Sequence, residues 1–290
     1  MKYGICPFSV IPLRVSAVDT SEICTQLLFG ELAEVLEKKG KAWLKVRCQH
    51  DNSIGWVHTN QLHPITANEF EAYSKDFAYC LDLMQPIMAK DHFIPITIGA
   101  RLPLFDGMKL QSEGKSYQFT GQAVFPADMS TDAELLEKLA RRYLYAPYLH
   151  GGRSPFGIDS AGLVQNVFQM LGISLPRDAA QQLDRGDAID FVEQAVEGDL
   201  AFFENRVGRI THVGIILPDL QIIHASDCVR IDKLDHFGIF NEASNRYTHK
   251  LRVIRRILPS TGKSQRKKLQ TPQVKEEQMQ LFEADVLKEA

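Results

Sequence analysis

The sequence predicts an α+β fold, with small all-β units ahead of a larger domain in which helices come first and a meander of strands follows. Three observations carry this. Short apolar runs alternate with polar or glycine-bearing breaks through the first 125 residues, a helical period of leucines begins only after Pro126, and beyond Gly172 the apolar runs are again strand-length. At 290 residues the chain is long enough for two or three separately cored domains.

Residues 1–65 carry "VIPLRV", "QLLFGELAEVLE", "AWLKVRC" and "GWVHTNQL", divided by "DTSE", "KKGK" and "HDNSIG". Strands this short and evenly spaced predict a small barrel. Residues 66–80 read as an amphipathic connector. The stretch to residue 125 is again β-rich, with Asp106-Gly107 and Glu113-Gly114 as expected hairpin tips, and is taken with the connector as a second small barrel, a degenerate repeat of the first. From residue 126, "DAELLEKLARRYLY" places Leu135, Leu136, Leu139 and Leu144 on a helical period, with Thr131 or Asp132 as its cap. The loop "HGGRSPFG" then leads into a helix over 160–171, with Leu163, Val164, Val167, Phe168 and Leu171 on one face and Gly172 just past its end. "DLAFF", "HVGIIL", "QIIHAS", "VRIDKL" and "LRVIRRIL" follow as strands, closing this domain at about residue 260. Residues 261–290 are polar and mixed in charge and are expected to be a flexible tail, although Met279, Phe282 and Val286 sketch a helical stripe.

Composition narrows the function classes. Net charge is −3 with no basic stripe, which argues against nucleic acid as a partner. No apolar run approaches the roughly 20 residues that span a bilayer, so no membrane partner is expected. The amino terminus, "MKYGICPFSVIPLRV", lacks the pattern of a secretory signal, and a cytoplasmic location is the expectation. Five scattered cysteines (Cys6, Cys24, Cys48, Cys80 and Cys228) never form a C-x-x-C pair and read as reduced, mostly buried residues.

The chemistry concentrates around Ser160. Asp159 is a natural N-cap, which places Ser160 in the first turn of a helix, among free N–H groups and the positive end of the dipole. A nucleophile there finds donors for an oxyanion. Capping alone would explain Ser160 and Asp159, so the histidines decide. "THVGIILPDLQIIHAS" reads as a hairpin turning at Asp219, pairing position 214 with 224 and 212 with 226. His212 and His224 then share one face, and Gly214 opposite His224 leaves room for its ring. One imidazole serves as general base while the other orients it. Zinc is the competing use of two histidines, but no third ligand has suitable spacing, and neither metal nor cofactor is expected.

"PYLHGGRSPFGIDSAGLVQNVF", "GISLPRDAAQQ", "EGDLAFF", "THVGIIL" and "IIHASDCVRID" resemble, in that order, the motifs of the NlpC-type cell-wall peptidases, a papain-like family. The resemblance covers about residues 126–258. "GKAWLKVRC" and "IGWVHTNQL" resemble, more weakly, the bacterial SH3-like barrels found ahead of such domains. The implied architecture is a papain-like catalytic domain preceded by two small SH3-like barrels. Within the family, the chain is similar to the cytosolic branch that recycles murein peptides, cutting between γ-D-glutamyl and a diamino acid where the L-Ala amino group is free. The resemblance implies Ser160 as nucleophile position, His212 as base and His224 as the orienting member. It also implies Asp178 as the carboxylate for the substrate ammonium, and Tyr148 and Asp159 as walls of the γ-D-glutamyl pocket. For Asp178, capping the helix that begins at Ala179 is the rival role, and for Tyr148 it is a place in the core.

The family carries Cys, then usually Ser, where this chain has Ser160 and Ala161. Serine is far less acidic than a thiol, so its proton must leave during attack, and Ala161 removes a hydroxyl that could touch substrate. The expectation is a rate lowered by several decades with peptide binding retained. The otherwise intact site favours a deliberate replacement that silences turnover; a non-catalytic peptide-binding relative and a genuine serine variant are the alternatives.

Overall fold

A computed structural model describes residues 1–259. The tail with Met279, Phe282 and Val286 lies outside the described residues. The first unit is a seven-stranded antiparallel sheet of β1 (Tyr3–Ile5), β2 (Val10–Arg14), β3 (Ile23–Leu28), β4 (Leu32–Lys39), β5 (Trp43–Cys48), β6 (Ile54–His58) and β7 (His63–Ile65), in the order β3-β2-β6-β5-β4-β1-β7. Burial alternates along β5, so Leu44, Val46 and Cys48 point inward while Trp43, Lys45 and Arg47 face out. Helix α1 (Ala67–Lys75) follows, opened by a reciprocal capping box between Thr66 and Glu69.

The second unit divides its strands between two small sheets. β9 (Met84–Met88), β10 (Phe93–Thr97), β12 (Lys109–Ser112) and β13 (Lys115–Gln118) form one; β8 (Phe77–Cys80), β11 (Arg101–Pro103) and β14 (Ala123–Val124) form the other. The Glu113-Gly114 tip is a two-residue hairpin, with both residues at positive φ and Ser112 paired to Lys115. Asp106-Gly107 is not a hairpin tip: it joins β11 to β12, which belong to different sheets. The Asp106 carboxylate instead accepts from the N–H groups of Met108 and Lys109, a local turn that sequence alone reads the same way. Phe29, from the first unit, is buried in the core of the second against Tyr117.

The third unit opens with α2 (Ala133–Arg141), capped by Asp132. The two-stranded ribbon β15 (Arg153–Ser154) and β16 (Gly157–Ile158) leads into α3 (Ser160–Gln169), and α4 (Ala179–Gln182) follows. The sheet comprises β17 (Asp187–Ile189), β18 (Leu200–Glu204), β19 (Ile210–Leu217), β20 (Gln221–Ser226), β21 (Cys228–Leu234), β22 (Gly238–Asn241) and β23 (Arg246–Arg256). Its antiparallel order is β17-β23-β18-β19-β20-β21-β22, and β23 pairs with β22 as well, so the sheet closes on itself. The β19–β20 register, Ile215 to Ile223 and Leu217 to Gln221, is the one the histidine spacing predicts.

Helix α3 is buried on all sides, whereas its sequence shows one apolar face. Leu163, Val164, Val167 and Phe168 join the core shared with Val213, Ile215 and Ile223. The polar side is buried too: Gln165 donates to Asp51 of the first unit at 2.8 Å, and Asn166 to the carbonyl of Arg153 in the ribbon before the helix. Arg153, fully buried, bonds Glu31 through Nη1 and Nη2 at 2.8 and 3.0 Å and also reaches the carbonyl of Gln26 at 2.8 Å. Burial would raise the Glu31 carboxyl, but the charges of Arg153 and His50 pull it below its usual range. Replacing Arg153 by Leu leaves that carboxylate buried without its guanidinium partner. It should destabilise the chain by roughly 3–5 kcal/mol in urea unfolding, with a large part recovered when Glu31→Gln is added.

Candidate active site

Ser160 is the first residue of α3 and is 6% exposed. Asp159 caps the helix by accepting from Gly162 N at 2.7 Å, which leaves the N–H groups of Ser160 and Ala161 without helical acceptors. The loop before it is pinned at both ends. Tyr148 N donates to the carbonyl of Asp227, at the start of β21, and Gly151 sits so close to the first unit that a Cβ there would lie 2.2 Å from the carbonyl oxygen of Ile23. Helix α3 packs on β19 and β20, which carry the two histidines.

Those histidines form a relay. His212 Nε2 lies 2.9 Å from His224 Nδ1, and His224 Nε2 lies 3.0 Å from Asp232 Oδ2. An ionised carboxylate only accepts, so His224 carries its proton on Nε2 and presents the Nδ1 lone pair to His212. His212 then donates from Nε2 and keeps Nδ1 free to take a proton. Asp232 is held by Arg230 Nε at 2.9 Å and Asn241 Nδ2 at 3.2 Å; burial would raise its carboxyl, but His224 and Arg230 bring it down. Burial, reinforced by the neighbouring His249 and His224, holds His212 well below the usual histidine range, so it is neutral at pH 7. Ser160 Oγ is hydrogen-bonded to neither histidine.

A third imidazole joins them. His249, on β23, stacks on His212 with ring centroids 4.1 Å apart and stands edge-on to His224 at 5.6 Å. One nitrogen from each of the three rings lies within 4.8 Å of the others. Sequence spacing finds no third ligand because His249 arrives from the far end of the domain, brought in only when β23 closes the sheet through the Ile239–His249 pair.

Comparisons with known proteins cover the elements that build this arrangement. The description "NlpC/P60 family" matches residues 145–251, from the loop before α3 to His249 and just beyond. The chain carries an NlpC/P60 domain. "Bacterial dipeptidyl-peptidase Sh3 domain" matches residues 13–62, within the first unit. A gamma-D-glutamyl-L-lysine dipeptidyl-peptidase of Bacillus cereus is 26% identical over 237 residues, 71% of this chain and 68% of that protein. The Bacillus subtilis protein of the same name is 29% identical over 229 residues, 73% of this chain and 75% of its own length. A crystal structure of an NlpC/P60 family protein from Bacillus cereus superposes with a TM-score of 0.76 at 22% identity, over 89% of this chain and 100% of that one, a likeness of fold.

Within the NlpC/P60 domain, the Asp159 carboxylate is tied into the scaffold. Its oxygens take Gly162 N, Gly151 N at 2.8 Å and both terminal nitrogens of Arg177 at 2.9 and 2.6 Å, so every strong acceptor direction is committed to the scaffold. Arg177 in turn donates from Nε to Thr25 Oγ1 of the first unit. Asp178 occupies the N-cap position of α4 but makes no side-chain capping bond, which leaves an exposed carboxylate available. Tyr148 is 45% exposed, not a core aromatic; partial burial and the charge of Asp159 push its hydroxyl pKa up. Ala161 is buried, its carbonyl accepting from Gln182 Nε2 at 3.0 Å.

Nothing in the local sequence pattern assigns a role to Arg153, Arg177, Asp232 or His249. The first three stand inside the motifs that carried the resemblance, but their partners lie far away in the chain. Gly214 confirms its steric role, since a Cβ added there would sit 2.7 Å from the Ile222 side chain and 3.1 Å from His224 Cβ. Gly214→Ala should lower stability by about 1–3 kcal/mol in thermal unfolding and displace the His224 ring resonances in NMR.

Proposed function

We propose that the chain recognises cell-wall-derived peptides with a free amino-terminal L-Ala and hydrolyses, slowly, the bond between γ-D-glutamyl and the following diamino acid. The observation that carries this reading is the uncommitted Asp178 carboxylate, placed on the same domain as the Ser160, His212 and His224 positions and suited to an ammonium group. The names of the Bacillus relatives support the peptide class. Packing of the first unit supports a preference for short peptides: Ile23, Thr25 and Gln26 lie against Gly151, Arg177 and Arg153 and wall one side of the loop before α3. The second β unit belongs to this proposal as a diverged SH3-like barrel, and the free cysteines support a cytoplasmic site of action.

Turnover in this form is limited by Ser160. A hydroxyl has to lose its proton in the attack itself, and His212, held neutral by burial, is a weak base for that task. The Asp232–His224–His212 relay compensates in part by fixing the base's tautomer and stabilising the charge it acquires. A binding module that keeps the site without turnover is the second reading, favoured by the Ser160-Ala161 pair.

Following dipeptide release from L-Ala-γ-D-Glu-diaminopimelate separates the two. Ser160→Cys should raise kcat by several decades, on the order of 10³-fold or more, with KM changed little. Asp178→Asn in that background should raise KM at least ~10-fold and leave kcat nearly unchanged. Binding by both forms with cleavage by neither would establish the binding module.

A further inference from the structure

We propose that His212, His224 and His249 form a binding site for one divalent transition-metal ion of the zinc class, steadied by Asp232. Imidazole is a preferred ligand of such ions, and three of them lie here with one nitrogen each within 4.8 Å of the others. The hydrogen bonds decide which nitrogens face inward. Asp232 takes the Nε2 proton of His224 and leaves Nδ1 as its lone pair. Thr248 Oγ1 donates to the carbonyl of Ile239, so it accepts from His249 Nδ1 at 2.9 Å and leaves His249 Nε2 unprotonated. His212 presents Nε2 to the same space, 2.9 Å from His224 Nδ1. Moving its one ring proton to Nδ1 makes it the third neutral donor.

The fit needs the rings to turn: His212 and His249 are stacked at an interplanar angle of 25°, so their lone pairs lie in near-parallel planes and His249 has to leave the stack to face a shared ion. Nitrogens on a tetrahedral ion with bonds of about 2.0–2.1 Å stand roughly 3.3–3.4 Å apart. The His212–His224 contact opens by about half an ångström, and His249 swings inward. His249 is the ring with room to do so, being half-buried and lining an open cleft of about 730 Å³ with Glu204, Phe237, Tyr247 and Lys250. That cleft supplies an entry path and a place for a water as fourth ligand. Asp232, hydrogen-bonded to His224 Nε2, gives the carboxylate support that metal-binding imidazoles use.

Metal and base exclude one another. With Nε2 of His212 on the ion, the ring proton stays on Nδ1, and His212 cannot accept a proton from Ser160. This consequence rests on the hydrolase reading; the binding itself does not.

The test uses the full chain without an affinity tag, stripped by chelator and titrated with Co²⁺, then with Zn²⁺ in competition. The expected result is one equivalent bound, with the visible d–d absorption of a tetrahedral nitrogen site that Zn²⁺ abolishes. His249→Gln should weaken binding by at least the ~10–100-fold that loss of a supporting partner costs, and Asp232→Asn by roughly 10–100-fold, whereas the exposed His236→Gln should change nothing. Two variants guard against one failing to fold. Absence of a stoichiometric ion, or an affinity unchanged in the folded variants, overturns the site. Because absorption and stoichiometry are read directly, metal binding stands or falls apart from any peptide cleavage.

Discussion

Arg153 is the constraint around which the molecule is assembled. It sits in the loop that delivers Ser160, yet its guanidinium is spent almost entirely on the first unit, on Glu31 and the carbonyl of Gln26, and on Asn166 and Gln169 of α3. A charge with no exposure is tolerated only when its donors are matched, and here they are matched by two domains at once. Arg177 repeats the pattern one layer nearer the site, joining Asp159 to Thr25. The amino-terminal unit is therefore part of the active-site scaffold, and the loop before α3 has no independent conformation to adopt.

The second constraint is the closure of the sheet. β23 is long enough to pair with β18 along one half and with β22 along the other, and this carries His249 to the rings of His212 and His224. Buried surroundings make His212 and His249 oppose protonation; burial comes first and repulsion from neighbouring rings adds to it, bringing His249 down to about 4. His212 and His249 are a pair of neutral rings at pH 7. Such rings have two uses, proton acceptance through the relay or coordination of a cation, and the tautomers set by Asp232 and Thr248 serve both.

Ser160 makes that choice consequential. A thiol at this helix N-terminus would give up its proton readily, since the dipole and the free N–H groups favour the thiolate. A hydroxyl gains little from the same surroundings and depends on the base, which is the group that burial weakens. On the proposed hydrolase reading, proton transfer from Ser160 is the difficult step at a site whose histidine relay is in place.

Local patterns determined a good deal from sequence alone. The cap at Asp159, the first-turn position of Ser160, the β19–β20 register and the need for glycine at 214 all follow from helix and strand periodicity within about fifteen residues. The family resemblance followed from the order of those motifs. Tertiary structure alone decided the rest. Asp159 reads equally as a pocket wall or a scaffold carboxylate until Arg177 and Gly151 are seen to take its oxygens. Asp178 stands where a cap belongs, and only the folded structure shows that its side chain is not used as one. Glu31 and Arg153, like His249 and His212, are partners across long stretches of chain. Periodicity describes which way a side chain points from its own backbone, whereas the partner it meets is fixed by how separate elements pack.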